Sequence, residues 1–95
     1  MMELHWTPEA VEDREIIYDH IEARNPVAAL VLDELFEEKA GRLVDHPHMA
    51  KTGRVAGTRE LVVHQNYILV YDVIGKIVRI LRVLHVARQW PSAQT

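Results

Sequence analysis

The chain has 95 residues, 48% hydrophobic and 26% charged, with no cysteine and a net charge of −3, the profile of one ordinary globular domain spanning 1–95. The missing cysteine excludes disulfides, thiolate metal centres and a Cys nucleophile. No apolar run reaches the roughly 18 residues of a membrane span and no basic-then-apolar leader opens the chain, so no membrane contact and a cytoplasmic location are expected.

Glu3–Trp6 alternates apolar and polar residues, a weak strand signal. Thr7-Pro8 then supplies a capping oxygen and a proline at the first helical position, where its missing N–H costs nothing. The helix that follows places Val11, Arg14, Ile17, Tyr18 and Ile21 at three- and four-residue steps, which predicts its inward stripe. Glu12, Asp13, Glu15, Asp19 and Glu22 fall elsewhere on the wheel and are expected to face solvent. Asn25-Pro26 repeats the capping signature with almost no loop, so the second helix folds back on the first. Its stripe is Ala29, Leu32, Phe36, Ala40 and Leu43, and Pro47 predicts a stop near Asp45.

Residues 45–57 break into a loop containing His46, His48, Gly53 and Gly57, a place where a rigid scaffold can carry function. Arg59–His64 and Tyr67–Val73 read as strands joined at Gln65-Asn66, where Asn tolerates a positive φ. Gly75 marks a second turn, and Ile77–Leu84 is a third strand. Period-two alternation sends Arg79 and Arg82 to opposite faces. The expected architecture is α+β in the order β-α-α-β-β-β: an N-terminal strand and a three-strand antiparallel meander in one sheet, with the helical hairpin on one face. The other face is expected to stay partly open and to carry Arg and His side chains.

Charge divides along the same line. Residues 1–39 hold three Lys/Arg against eleven Asp/Glu, and residues 40–95 hold eight against three together with four of the six histidines. A basic sheet half of this kind suits a polyanion or an acidic partner.

The order of elements, the Asp45-His46-Pro47 loop, the strand pair from Gly57 to Tyr71 and the ending from Arg79 to Pro91 together resemble the RelE/ParE superfamily of type II toxin–antitoxin toxins, over essentially the whole chain. The resemblance implies a small toxin neutralised by a cognate antitoxin protein. It also implies one of two targets: mRNA on the translating ribosome for RelE-type members, or DNA gyrase for ParE-type members. YafQ-like members of the RNase branch use a histidine-rich site, and His46, His64 and His85 stand where that pattern has histidines. Where those members carry an acidic residue shortly after the turn histidine, this chain has Gln65-Asn66-Tyr67. The Lys/Arg/Tyr site of other RelE-type members is matched loosely by Arg54, Arg59, Arg79 and Tyr67. Plasmid-stabilisation toxins of the ParE-like group carry similar His-x-Asn-Tyr and Leu-His-x-x-Arg-Gln-aromatic-Pro words.

Metal-free RNA cleavage needs a base for the 2′-OH, an acid for the leaving 5′-oxygen and cations against the phosphorane. Imidazoles suit both proton roles, which nominates His64 and His85, able to meet if their strands are adjacent. Arg59 and Arg79 would hold the phosphate, with Arg88 nearby, and Tyr67 or Trp90 would stack on a base. Arg59, Arg82 and Arg88 are the expected contacts for partner carboxylates. No cofactor is expected. No metal site is expected either, since His46 and His48 have no carboxylate at ligand spacing. A ribosome-dependent endoribonuclease is therefore the first functional expectation, and a gyrase-directed inhibitor without catalysis is the alternative.

Overall fold

The structure, a computed structural model, describes residues 2–87; Arg88 and Trp90, nominated above, lie outside the described residues. In chain order the elements are β1 (Glu3–Trp6), α1 (Pro8–Glu22), α2 (Pro26–Asp45), β2 (Lys51–Thr52), β3 (Arg59–His64), β4 (Tyr67–Ile74) and β5 (Ile77–His85). The strands form one sheet in the order β1-β5-β4-β3-β2, with β1 parallel to β5 and every other pair antiparallel. This is the expected α+β order with one addition. Two residues carry no alternation signal, so β2 was invisible in the pattern; it exists because Lys51 and Thr52 pair with Glu60 and Arg59.

Both helices begin where their caps predict. Thr7 accepts from Ala10 N at 3.1 Å ahead of Pro8, and Asn25 accepts from Ala28 N at 3.0 Å ahead of Pro26. All five residues of the α2 stripe are buried, and Leu32, Phe36, Ala40 and Leu43 pack with Leu69, Tyr71, Val78 and Ile80 of the sheet into the main core. Burying a side chain the size of Phe36 or Leu43 contributes about 1.5–3 kcal/mol.

The α1 stripe is rotated from its expected position. Ala10 and Asp13 are its buried residues, Ile17 and Ile21 are partly buried, and Val11 is exposed. The reason is Asp13, which was assigned to the solvated acidic face. Its carboxylate instead accepts from Arg82 at 2.7 and 3.0 Å and from Val83 N at 2.9 Å. Because β1 ends at Trp6 opposite Ile80, the next stretch of β5 has no strand beside it on that side, β4 lying on the other. Thr7 Oγ1 donates to Leu81 O at 3.0 Å, so α1 and its cap satisfy that margin of the sheet. An unpaired buried polar group there would cost about 1–3 kcal/mol.

Two irregularities change which residues share a face. On β5, Arg79 lies opposite Asp72 and Arg82 opposite Val70, with Leu81 as the extra residue of a bulge. The bulge resets the alternation, so Arg79 and Arg82 project to the same face rather than to opposite faces. On β3 the register shifts between Val62 and His64, and His64 then pairs with Tyr67 around the Gln65-Asn66 turn. Among the described residues no non-glycine φ is positive, so this tight turn closes without the left-handed Asn expected for it; Gly75 does adopt φ +58 at the second turn. The face away from the helices is less open than expected, since Ile68, Val70 and Leu84 are buried there in a second, smaller cluster.

Candidate functional site

At the β3–β4 turn end of the sheet, the pairing register sets His64 and His85 on either side of Tyr67. Tyr67 meets the His85 ring edge-on with centroids 5.3 Å apart, and it meets Phe36 edge-on at 5.8 Å. Val86 N donates to Asn66 O at 2.8 Å, tying the end of β5 to the turn. Ala87 N donates to His85 Nδ1 at 3.1 Å. A backbone N–H can only donate, so Nδ1 is unprotonated and the neutral ring carries its proton on Nε2. His85 is thereby presented as a hydrogen-bond donor through Nε2.

The two nominated imidazoles do not meet. β3 and β5 are separated by β4, which is about 9.5 Å at two inter-strand spacings. They also open onto different depressions. His85 borders a cavity of about 290 Å³ with Asp13, Ile17 and His20, and His64 borders an apolar one of about 330 Å³ with Leu32, Leu35 and Asn66; Tyr67 walls both. The presence of helix residues in both linings places the histidines on the helix-covered side, not on the far face where the sequence pattern put them. His20, exposed on α1, shares a depression with His85. Nothing in the local pattern announces a pairing of residues so distant in the chain.

The nominated arginines are committed inside the fold. Arg54 holds the buried Glu60 through its backbone N at 2.9 Å and through its guanidinium, and Arg79 makes a two-bond pair with Asp72 at 2.9 and 2.6 Å. Arg82 pairs with Asp13. Arg59 Nη1 donates to Ala50 O at 2.7 Å and to His48 O at 3.3 Å, bracing the loop after α2. Tyr71 Oη donates to Pro47 O at 2.9 Å in the same loop. Burial works to raise the Glu60 carboxyl pKa, but hydrogen bonds from Arg54 and the charge of Lys51 outweigh it and hold the group below its ordinary value. Burial pushes the Tyr71 phenol up.

Arg59 and Arg79 also sit toward the opposite end of their strands from His64 and His85, about 15–20 Å away at 3.3 Å per residue. His46 is exposed at the C-terminal cap of α2, where its backbone N donates to Arg42 O. Among the described residues no group of three or more His, Asp or Glu side chains is arranged to hold a metal ion, and no helix is long and apolar enough to cross a membrane. The geometry yields a histidine–tyrosine group at one end of the sheet and an arginine-braced loop at the other.

Residues 4–90 match the family model described as the ParE toxin of the type II toxin–antitoxin system, parDE. The chain is 34% identical over 90 residues to Y4kP of Sinorhizobium fredii, covering 94% of this chain and 93% of that protein. It is 33% identical over 88 residues to toxin RelE2 of Caulobacter vibrioides, covering 93% and 99%. In three dimensions it is similar to a chain of the chromosomal ParDE system from P. aeruginosa, with a TM-score of 0.81 at 30% identity over 90% of this chain and 96% of the other. With the superfamily's fold and a family match spanning nearly its whole length, this chain belongs to the ParE toxin family of type II toxin–antitoxin systems, within the RelE/ParE superfamily.

Proposed function

We propose that this toxin arrests growth in the cytoplasm by binding a protein target, DNA gyrase, as ParE-type members do, and that a cognate antitoxin neutralises it. The observation that carries the reading is the dispersal of the nominated catalytic groups. His64 and His85 are separated by β4, and Arg54, Arg59, Arg79 and Arg82 are each bonded to groups of the chain itself. A phosphoryl-transfer site needs acid, base and cation within hydrogen-bond reach of one phosphate, whereas a binding surface needs no such convergence. The antitoxin partner follows from the system to which the related P. aeruginosa chain belongs.

One observation favours ribosome-dependent mRNA cleavage as the second reading: His85 stands against Tyr67 with its tautomer set for donation. Inducing the chain without a partner in bacteria separates the two. The binding reading expects growth arrest with gyrase-dependent DNA breaks, relieved by co-expressing the antitoxin. Rapid loss of ribosome-bound message without DNA breaks, abolished by His85→Gln, would transfer the protein to the RNase class. Unchanged growth with soluble protein present would overturn both.

A further inference from the structure

We infer that the outer edge of β1 is a docking surface for a second copy of this chain, which pairs with it antiparallel about a two-fold axis at Leu4. β1 ends the strand order, so among the described residues no strand lies on its outer side. Glu3 N donates to Lys76 O at 2.7 Å and Thr7 N to Ile80 O at 3.0 Å, so the odd-numbered residues turn their backbone groups toward β5. Those of Leu4, and of Met2 and Trp6 on either side of it, then point outward along an open edge. Such a row of unpaired groups is a template for another strand. The other margins of the sheet are blunted. α1 clasps the free margin of β5, where Asp13 accepts from Val83 N and Thr7 donates to Leu81 O. β3 carries a register shift between Val62 and His64, which bends it out of regular pairing, and β2 is two residues long. β1 keeps a regular register over all four of its residues.

The charges on this edge select the partner. Glu3 and His5 are exposed on one face, with His5 Nε2 3.2 Å from Glu3 Oε1, while Leu4 and Trp6 pack against the main core on the other. In an antiparallel pair centred on Leu4, Leu4 faces its own copy, Met2 faces the partner's Trp6, and Glu3 faces the partner's His5. The Leu4 pair is hydrogen-bonded because its backbone groups point outward. The two Glu3–His5 pairs therefore fall at the narrower positions, with Cα atoms about 4.5 Å apart, where cross-strand side chains interact best. The imidazole donates to the facing carboxylate as a neutral ring and pairs with it as a cation. Registers shifted by two residues would instead set Glu3 against its own copy, or His5 against its own copy, so the charge pattern favours the one register. A four-residue strand buries less than the roughly 800 Å² per partner of a standard interface, which places this dimer in the weak, transient class.

The pairing stands whether the toxin's target is a protein or an RNA. The test is sedimentation equilibrium of the tag-free full chain from about 10 µM to about 1 mM, the span of weak association, with nuclear magnetic resonance spectra at both ends of the series. A monomer–dimer equilibrium is expected, with concentration-dependent shifts centred on Met2, Leu4 and Trp6. Glu3→Lys sets like charges across the axis twice and should weaken the dimer by about 2- to 30-fold, the worth of two cross-strand pairs. The Glu3→Lys/His5→Glu double variant inverts both signs, keeps opposite charges face to face and should restore association. Both changed side chains are exposed, so the variants keep the fold. Glu22→Lys, the same charge change at the exposed end of α1, should leave association unaltered. A chain that stays monomeric up to 1 mM, equal losses in Glu3→Lys and Glu22→Lys, failure of the double variant to recover, or shifts centred away from β1 would each overturn the proposal.

Discussion

At the turn end of the sheet, Tyr67 and His85 are held by ring contacts and His85 by a single backbone hydrogen bond, and together with His64 they border open depressions. At the other end, Arg54, Arg59, Glu60 and Tyr71 form a mesh of hydrogen bonds that fastens a loop with little regular structure of its own. The residue types that suggest chemistry thus do two different jobs. Arginines and a buried glutamate give the loop a fixed shape, while His64 and His85 stand exposed. A residue type nominates a function only after its hydrogen bonds have been counted.

Substitutions should separate these roles. The largest effect belongs to a brace outside both ends. Asp13→Ala leaves Val83 N–H without its acceptor and removes the Arg82 pair, which should destabilise by about 2–4 kcal/mol. At this size each kcal/mol lowers the melting temperature by about 4–8 °C. A melting temperature within a few degrees of the parent's would show that the α1–β5 clasp is not a structural brace.

Next is Glu60. Its folded-state pKa is held below the unfolded value, so its pairing contributes stability above the unfolded value of about 4.3, and that contribution is lost as pH falls through the folded value. Glu60→Gln should cost about 1–3 kcal/mol at neutral pH. Urea unfolding at a series of pH values should then show a shallower acid decline in the variant. Equal acid sensitivity in the two proteins would remove Glu60 from the brace.

Tyr71→Phe deletes one hydrogen bond to Pro47 O while keeping the buried ring, so about 1 kcal/mol is expected by the same unfolding measurement. Loss of several kcal/mol would mean that the loop's whole fastening depends on this hydroxyl.

The smallest effects are expected at the turn end. His64→Ala should change stability by no more than about 0.5 kcal/mol, and His85→Ala by up to about 1 kcal/mol because of its ring contact with Tyr67. Both variants should still arrest growth under the binding reading. A folded His85→Ala protein that no longer arrests growth would reverse the contrast between the two ends and make the histidine group the working site.

Much of the architecture was legible in local patterns. Thr7-Pro8 and Asn25-Pro26 marked the helix starts, the α2 stripe was read residue for residue, and three strands and their turns were located because capping, proline geometry and period-two alternation act over a few neighbouring residues. The candidate residues were legible as types but not as an arrangement. Asp13 looked like one more solvated acid because nothing near it in sequence reveals that Arg82 and the N–H of Val83 approach it. The bulge at Leu81 was equally hidden, and one extra residue was enough to move Arg82 onto the face of Arg79.

The amino-acid order alone therefore settled the α+β succession of elements, the helical hairpin and the division between an acidic helical half and a basic sheet half, since these rest on local conformational preferences and on composition. Strand order, bulges and the partners of each charged side chain came only with the tertiary structure. They separated His64 from His85 by a strand, joined His85 to His20 across one depression and anchored Arg59 beneath a loop, because long-range pairing, not residue type, decides which polar groups are left to face a ligand.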